Sequence, residues 1–223
     1  MQTQLHRSVQ KLKEQLLALG AEIERAIVNA EGCLKSLDVA AANSVIQYDR
    51  VIDQHEVDIE EECLKILALY HPVAQDLRGV IAMLKMNNDL ERIGDLCKNI
   101  AEYVIEIAKG PRVEIPSDFG AMFTETRRMV HGSLDSLVAG DLELARQVCE
   151  DDDIVDDLNV QIIGEIRDRL PKEPGNMNAL LFLISVSRSL ERIADYATNI
   201  AEDVAYTVSG SIMRHTLTHE PHE

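Results

Sequence analysis

The segment LERIGDLCKNIAEYV, Leu90 to Val104, returns as LERIADYATNIAEDV, Leu190 to Val204, with ten of fifteen positions identical. A 223-residue chain that writes one element twice, 100 residues apart, is constrained to build a unit of about 100 residues and to follow it with a second of the same plan. The correspondence extends beyond this segment. Gly32, Leu34, Ser36 and Leu37 recur as Gly132, Leu134, Ser136 and Leu137 at an offset of 100. Asp38, Asp49 and Asp53 recur as Asp141, Asp152 and Asp156 at an offset of 103. Three residues are gained in the first inter-helix turn of the second unit and lost again near Pro171 to Gly175. Length changes confined to turns are what a duplicated helical unit predicts, because loops absorb them and packed helices do not.

The period of the apolar residues says which secondary structure is repeated. Leu5, Val9, Leu12, Leu16, Leu19 and Ile23 alternate spacings of four and three, and the seam continues through Ile27, Ala30 and Leu34. Asp38 is suited to cap a second helix that runs to about Tyr70. Pro72 suits a first helical position, so a third helix is expected from near there to about Lys109. GPRVEIPSD, Gly110 to Asp118, is the one clear break and reads as a linker. Strand-like alternation is absent. The expected fold is all-α, a tandem repeat of two antiparallel three-helix bundles with six long helices. Residues 1–110 form the first bundle, 117–212 the second, and 213–223 a C-terminal tail.

At about 100° per residue, Leu90, Ile93, Cys97, Ile100, Val104 and Ile107 make one apolar stripe. Glu91, Asp95, Asn99 and Glu102 make a second line nearly opposite to it, and Glu191, Asp195, Asn199 and Glu202 repeat that line. These carboxylates are therefore expected to face water. On the middle helices Asp49, Asp53 and Glu56 share a face beside Val45, Ile52, Ile59 and Cys63. Asp152 and Asp156 stand likewise beside Val148, Val155 and Ile162, with Asn159 in place of the third acid. If the two helices are neighbours, four carboxylates converge in each unit. Like charges at i, i+4 destabilise a helix by about 0.2–0.5 kcal/mol per pair, and multivalent cations remove that repulsion. An all-oxygen set prefers hard ions such as magnesium, manganese, calcium or ferric iron. The competing reading is a solvated acidic helix face.

Composition narrows the partners. Asp and Glu outnumber Lys and Arg by 39 to 22, a net charge of −17. That field repels nucleic acid and anionic lipid and favours metal cations and basic protein surfaces. Cys33, Cys63, Cys97 and Cys149 have no C-x-x-C pairing and read as reduced thiols without a metal role. MQTQLHRSVQKLKEQ is polar and amphipathic, unlike a secretory leader, and Pro174 to Ser187 is too short an uncharged run to span a bilayer. In HPVAQDLR, Asp76 suits a helix first turn and Arg78 reads as a local salt-bridge partner. Arg92 and Arg192 read as surface ion-pair partners of the adjacent acids. His215, His219 and His222 read as part of a frayed terminus rather than a metal-binding tail. P-loop, G-x-S-x-G, H-E-x-x-H and Glu-x-x-His signatures are absent, which removes the common enzyme templates.

Two copies of ERI(G/A)D…NIAE, each in a three-helix unit, with PVAQDLR before the first, resemble the PhoU family of bacterial phosphate-transport regulators. The resemblance covers nearly the whole chain. It implies a cytoplasmic, dimeric, non-enzymatic protein that represses the phosphate-starvation response. Its implied partners are the ATP-binding subunit of the phosphate ABC transporter and the sensor histidine kinase, with membrane association only indirect. It implies metal ions (iron, zinc, magnesium or manganese) on Asp49, Asp53, Glu91 and Asp95 in the first unit and on Asp152, Asp156, Glu191 and Asp195 in the second. Asn99, Glu102, Asn199 and Glu202 are further candidates. Leu96 and Tyr196 stand where many relatives carry His after the motif Asp, which weakens the case for a nitrogen-preferring metal. DLR has no copy in the second unit, so the two sites need not be equivalent. Other readings are a carboxylate-bridged metal hydrolase or oxidase, which needs a closed cavity that a solvent-facing helix surface does not supply, and a metal-free helical scaffold.

Overall fold

A computed structural model of the chain describes residues 2–210. The tail 213–223, with its three histidines, lies outside them. Among the described residues six long helices form the fold: α1 (Gln2–Ser36), α2 (Val39–Tyr70), α3 (Ala74–Ala108), α4 (Asp118–Ala139), α5 (Leu142–Arg169) and α6 (Met177–Ser209). One 3-10 turn, Pro174–Asn176, precedes α6, and no strand occurs among the described residues.

Several helix boundaries carry the local chemistry that sets them. Asp38 accepts hydrogen bonds from the Ala40 and Ala41 amides at 2.8 and 3.0 Å, and Asp141 does the same for Glu143 and Leu144 at 2.9 and 3.2 Å. The two units thus share one N-cap, which satisfies amides that the first helical turn leaves open. Gly140, at φ 63°, closes α4 in the left-handed conformation that glycine adopts without penalty. The third helix starts at Ala74, two residues beyond Pro72, because Val73 is extended (φ −129°, ψ 157°).

The apolar seams are buried as their period requires. On α1, Leu12, Leu16, Leu19, Ile23, Ile27, Ala30 and Leu34 are fully enclosed, and Val9 is half-buried. Within each unit all three helices touch one another: α1, α2 and α3 in the first, α4, α5 and α6 in the second. The units join through α3 against α6, the most extensive helix pair, and through α1 against α4. Burial counts show the consequence. Fourteen of the 35 residues of α3 and fifteen of the 33 of α6 are buried, against seven of 32 for α2. The two central helices are wrapped on several sides.

Specific contacts fix the junction between units. Lys85 on α3 pairs with the buried Asp203 on α6 at 3.0 Å. Tyr103 on α3 stacks on Phe182 on α6 with ring centroids 5.8 Å apart. Lys13 on α1 donates to the Leu137 and Val138 carbonyls at 2.7 and 3.1 Å, placing a cation at the C-terminus of α4, where the helix dipole favours it. Gly20 lets α1 approach α4 closely, since a Cβ there would lie 2.3 Å from a Leu134 methyl. Arg78 makes no ion pair among the described residues, contrary to the expected local salt bridge. Its guanidinium lies against Gly210 at the end of α6, which would place a Cβ 3.4 Å from Nη2. The carbonyl end of a helix attracts that charge, and the equivalent position of the second unit is the uncharged Asn178.

Candidate functional site

The acidic lines of α2 and α3 meet along one groove, and those of α5 and α6 along another. In the first groove α2 and α3 approach closely at Gly94, where a Cβ would stand 3.1 Å from Ile52 and 3.3 Å from Ile23. Asp49 sits beside that contact and is only 4% exposed. This corrects the expectation that all the acids face water. The helix pair closes over Asp49, and Lys98 reaches from α3 to hold it, Nζ to Oδ2 at 2.6 Å. The same ammonium lies 3.6 Å from Asp95. Lys98 is the only hydrogen-bond partner of the Asp49 carboxylate among the described residues, because Oδ1 accepts no bond.

The other members of the first groove are wetter. Asp53 is exposed, Glu91, Asp95 and Asn99 are half-buried, and Glu102 is exposed. Glu91, Asp95 and Asn99 therefore flank the apolar stripe rather than opposing it, because α3 is enclosed on several sides. Burial raises the Asp53 carboxyl above its ordinary value, with Asp49 and Asp95 adding to the rise and Lys98 opposing it. Glu91 rises through burial and then through Asp95, while Arg92 opposes. Arg92 makes the expected surface ion pairs, at 3.5 Å to Glu91 and 3.3 Å to Asp95. Glu56 also rises through burial, and its side chain and carbonyl both accept from Asn87.

The second groove contains the same acids with different company. Asp152, Glu191 and Glu202 are half-buried, and Asp156, Asp195 and Asn199 are exposed. Burial pushes the Asp152 carboxyl up to about 7, and every neighbouring charge it feels, from Asp195, Asp156, Asp153 and Glu191, is negative. Asp195 rises through burial and then Asp156, with Arg192 opposing. Glu191 rises through burial, Asp195 and Asp156, with Arg188 and Arg192 opposing. Asp156 rises through burial and then its own neighbours Asp153 and Asp157. Thr198 occupies the place of Lys98, and its hydroxyl donates to its own helix at the Asp195 carbonyl, 2.7 Å away. Asn159 occupies the place of Glu56 and accepts from Ser187, which stands at the place of Asn87. The second groove thus has one acid fewer than the first and lacks its lysine, while Arg188 stands where the first unit has Asn88.

Two buried acids escaped the sequence reading. Asp151 is 6% exposed and is held by Arg128 at 2.6 Å and Gln147 at 3.0 Å. Asp203 is the inter-unit partner of Lys85. A usable signal was the mismatch between repeats: Tyr103 and Asp203 differ at one repeat position, and both contact the opposite unit. The four cysteines are free and buried. Burial lifts the Cys63 thiol to about 11 and Cys149 to about 12, which keeps them protonated and unreactive.

Chemically, the grooves offer carboxylate oxygens to a cation or to a basic surface. Among the described residues no three His, Cys, Asp or Glu side chains are grouped so as to hold a metal ion as they stand. The second groove has the donor chemistry for a hard cation and no lysine within it. The first has an ammonium already seated on its buried carboxylate.

A family model described as "PhoU domain" matches residues 7–104 and 119–204, one match in each three-helix unit. A phosphate-specific transport system accessory protein PhoU homolog from Aquifex aeolicus is 36% identical over 211 residues, covering 95% of this chain and 96% of that protein. The homolog of the same description from Pseudomonas aeruginosa is 34% identical over 215 residues, covering 95% and 88%. The crystal structure of PhoU from Pseudomonas aeruginosa superposes with a TM-score of 0.87 at 33% identity, over 92% of this chain and 99% of that one. The structure of the phosphate transport system regulatory protein PhoU from Streptococcus pneumoniae gives 0.87 at 27% identity, over 93% and 98%.

Proposed function

The chain belongs to the PhoU family, and from that premise we propose that it is a non-catalytic accessory protein of phosphate-specific transport that restrains uptake and phosphate-starvation signalling. The observation that carries the reading beyond the family is the pair of acidic grooves, one per unit, on a protein of net charge −17. Such grooves attract basic protein surfaces and orient them. We assign the docked surfaces to the ATP-binding subunit of the phosphate ABC transporter and to the sensor histidine kinase, working from the cytoplasm and as a homodimer. No described helix is long and apolar enough to cross a membrane, so attachment to a membrane would run through those partners.

A bound ion belongs to this proposal for the second groove. Asp152, Asp156, Glu191 and Asp195, with Asn199 and Glu202 at its edge, would hold a hard cation such as magnesium, manganese or ferric iron. The ion would supply positive charge that cancels the repulsion between α5 and α6, and would present a surface on which a partner's own acids or phosphate can dock. Zinc is the weaker fit, because the six named residues are all Asp, Glu or Asn and offer oxygen alone.

The test has two readouts. A strain lacking the gene should show raised phosphate-responsive reporter expression in rich phosphate, and affinity capture from wild-type cells should recover the transporter ATPase and the kinase. Unchanged reporter expression together with no recovery of either partner would refute the proposal. Elemental analysis of protein purified without chelator checks the ion separately.

A further inference from the structure

We infer that Lys98 is the resident counter-cation of the first groove, bridging Asp49 and Asp95 in the part a metal ion would play, so that the first groove, unlike the second, takes no metal. This rests on the reading of the grooves as cation-binding faces given above. Four observations carry it. Asp49 is nearly sealed from solvent, and Lys98 is its only hydrogen-bond partner among the described residues, at 2.6 Å. The ammonium also stands 3.6 Å from Asp95, so one cation spans a carboxylate of α2 and one of α3. Lys98 is itself two-thirds buried, with 33% of its side chain exposed, which holds the ammonium within the groove. The equivalent residue of the second unit, Thr198, turns its hydroxyl to its own backbone and contributes no charge.

The physical reason is the cost of a buried carboxylate. An ionised carboxylate loses its hydration on leaving water and must be paired. A lysine supplied by the chain satisfies that need permanently. A dissociable metal satisfies it only when present, and an ammonium seated 2.6 Å from Asp49 Oδ2 and 3.6 Å from Asp95 Oδ1 repels a second cation from the same carboxylates. The accompanying change from Glu56 to Asn159 fits, because the groove with the built-in cation carries the additional acid. The two units thus differ in function: the first is a constitutively assembled groove, and the second responds to ions.

Two measurements on the full chain test this. In EDTA at pH 7.5, Lys98→Thr should lower Tm by about 5 °C, since it strands Asp49, and Asp49→Asn in the same chain should restore most of the loss. Lys65→Thr, which removes the surface ion pairs to Glu61 and Glu62, controls for a generic effect. A Lys98→Thr loss no larger than that control, or one that Asp49→Asn does not relieve, would overturn the assignment. With Mn2+ as probe, bound ions are counted from the paramagnetic resonance of the free ion. The wild type should lose Mn2+ on Glu191→Gln and keep it on Glu91→Gln. Lys98→Thr should gain at least one further Mn2+ that Glu91→Gln removes. Loss of Mn2+ from the wild type on Glu91→Gln, or no gain in Lys98→Thr, would overturn the exclusion of metal from the first groove. Absence of Mn2+ from the wild type altogether would refute the metal part of the proposed function, and the EDTA series then decides the role of Lys98 alone.

Discussion

Asp152→Asn should make the protein more stable at neutral and alkaline pH once divalent ions are removed, and should leave acid stability unchanged. Burial and four surrounding acids hold the native Asp152 carboxyl at about 7, against 3.8 for an unperturbed one. Below about pH 4 the group is protonated in both native and unfolded chains, and it contributes nothing to their difference. Between about 4 and 7 the unfolded chain releases the proton while the native chain keeps it, so the native state binds more protons and stability falls as pH rises. Above 7 the native group is ionised at full cost. Three units at about 1.36 kcal/mol each would give about 4 kcal/mol. Asp152 is only half-buried, however, and water screens its neighbours, so about 1–2 kcal/mol is the realistic gain. For a chain of this length that corresponds to a Tm rise of about 2–8 °C at pH 8. Urea melts of wild type and variant at pH 4 and pH 8 in EDTA measure it, and other titrating groups cancel in the difference. A variant equally or less stable at pH 8, or a difference that does not change with pH, would refute the electrostatic account of the second groove. Adding Mn2+ should shrink the variant's advantage by stabilising the wild type.

The junction and the caps give further expectations. Phe182→Ala should lose the stack on Tyr103 and destabilise the chain by about 1–3 kcal/mol, read in urea melts, with the ring pair itself accounting for about 0.5–1.5. Lys13→Met should cost about 1 kcal/mol, because the α4 carbonyls lose a charged donor; it should also speed hydrogen exchange at the end of α4. Asp38→Ala and Asp141→Ala should each cost about 1 kcal/mol in thermal melts, with nearly additive effects because the caps sit in different units. His131 is held above its ordinary value by its hydrogen bond to Glu24 on α1 and by Asp135, against Arg127. Its contribution is present at low pH and fades as pH rises through and above 6.5, so His131→Gln should narrow the gap to wild type there. With the ring largely exposed, a change below about 1 kcal/mol is expected from pH-dependent melts.

The fold was legible because its signals are local and redundant. The four-and-three spacing of α1, the capping Asp38 and Asp141, and the linker around Pro111 and Pro116 each depend on residues within a few positions of one another. The repeat then checked every assignment in one unit against the other. The residues of the two grooves were legible for the same reason, since Glu91 and Asp95 share a helix face whatever that helix packs against. Their surroundings were not. A helical wheel treats a helix as buried on one side, and α3 and α6 are central, so Glu91 and Asp95 flank a core that extends round them.

The sequence by itself determined six helices, two copies of one bundle and the acidic lines along α2, α3, α5 and α6, because period, capping and repetition are properties of neighbouring residues. The tertiary structure alone decided that Asp49 is buried, that Lys98 closes on it while Thr198 turns away, and that Asp203 and Tyr103 serve the opposite unit. Charge pairing and desolvation depend on which helices come within a few ångströms of each other, and helices brought together from distant parts of the chain set those distances.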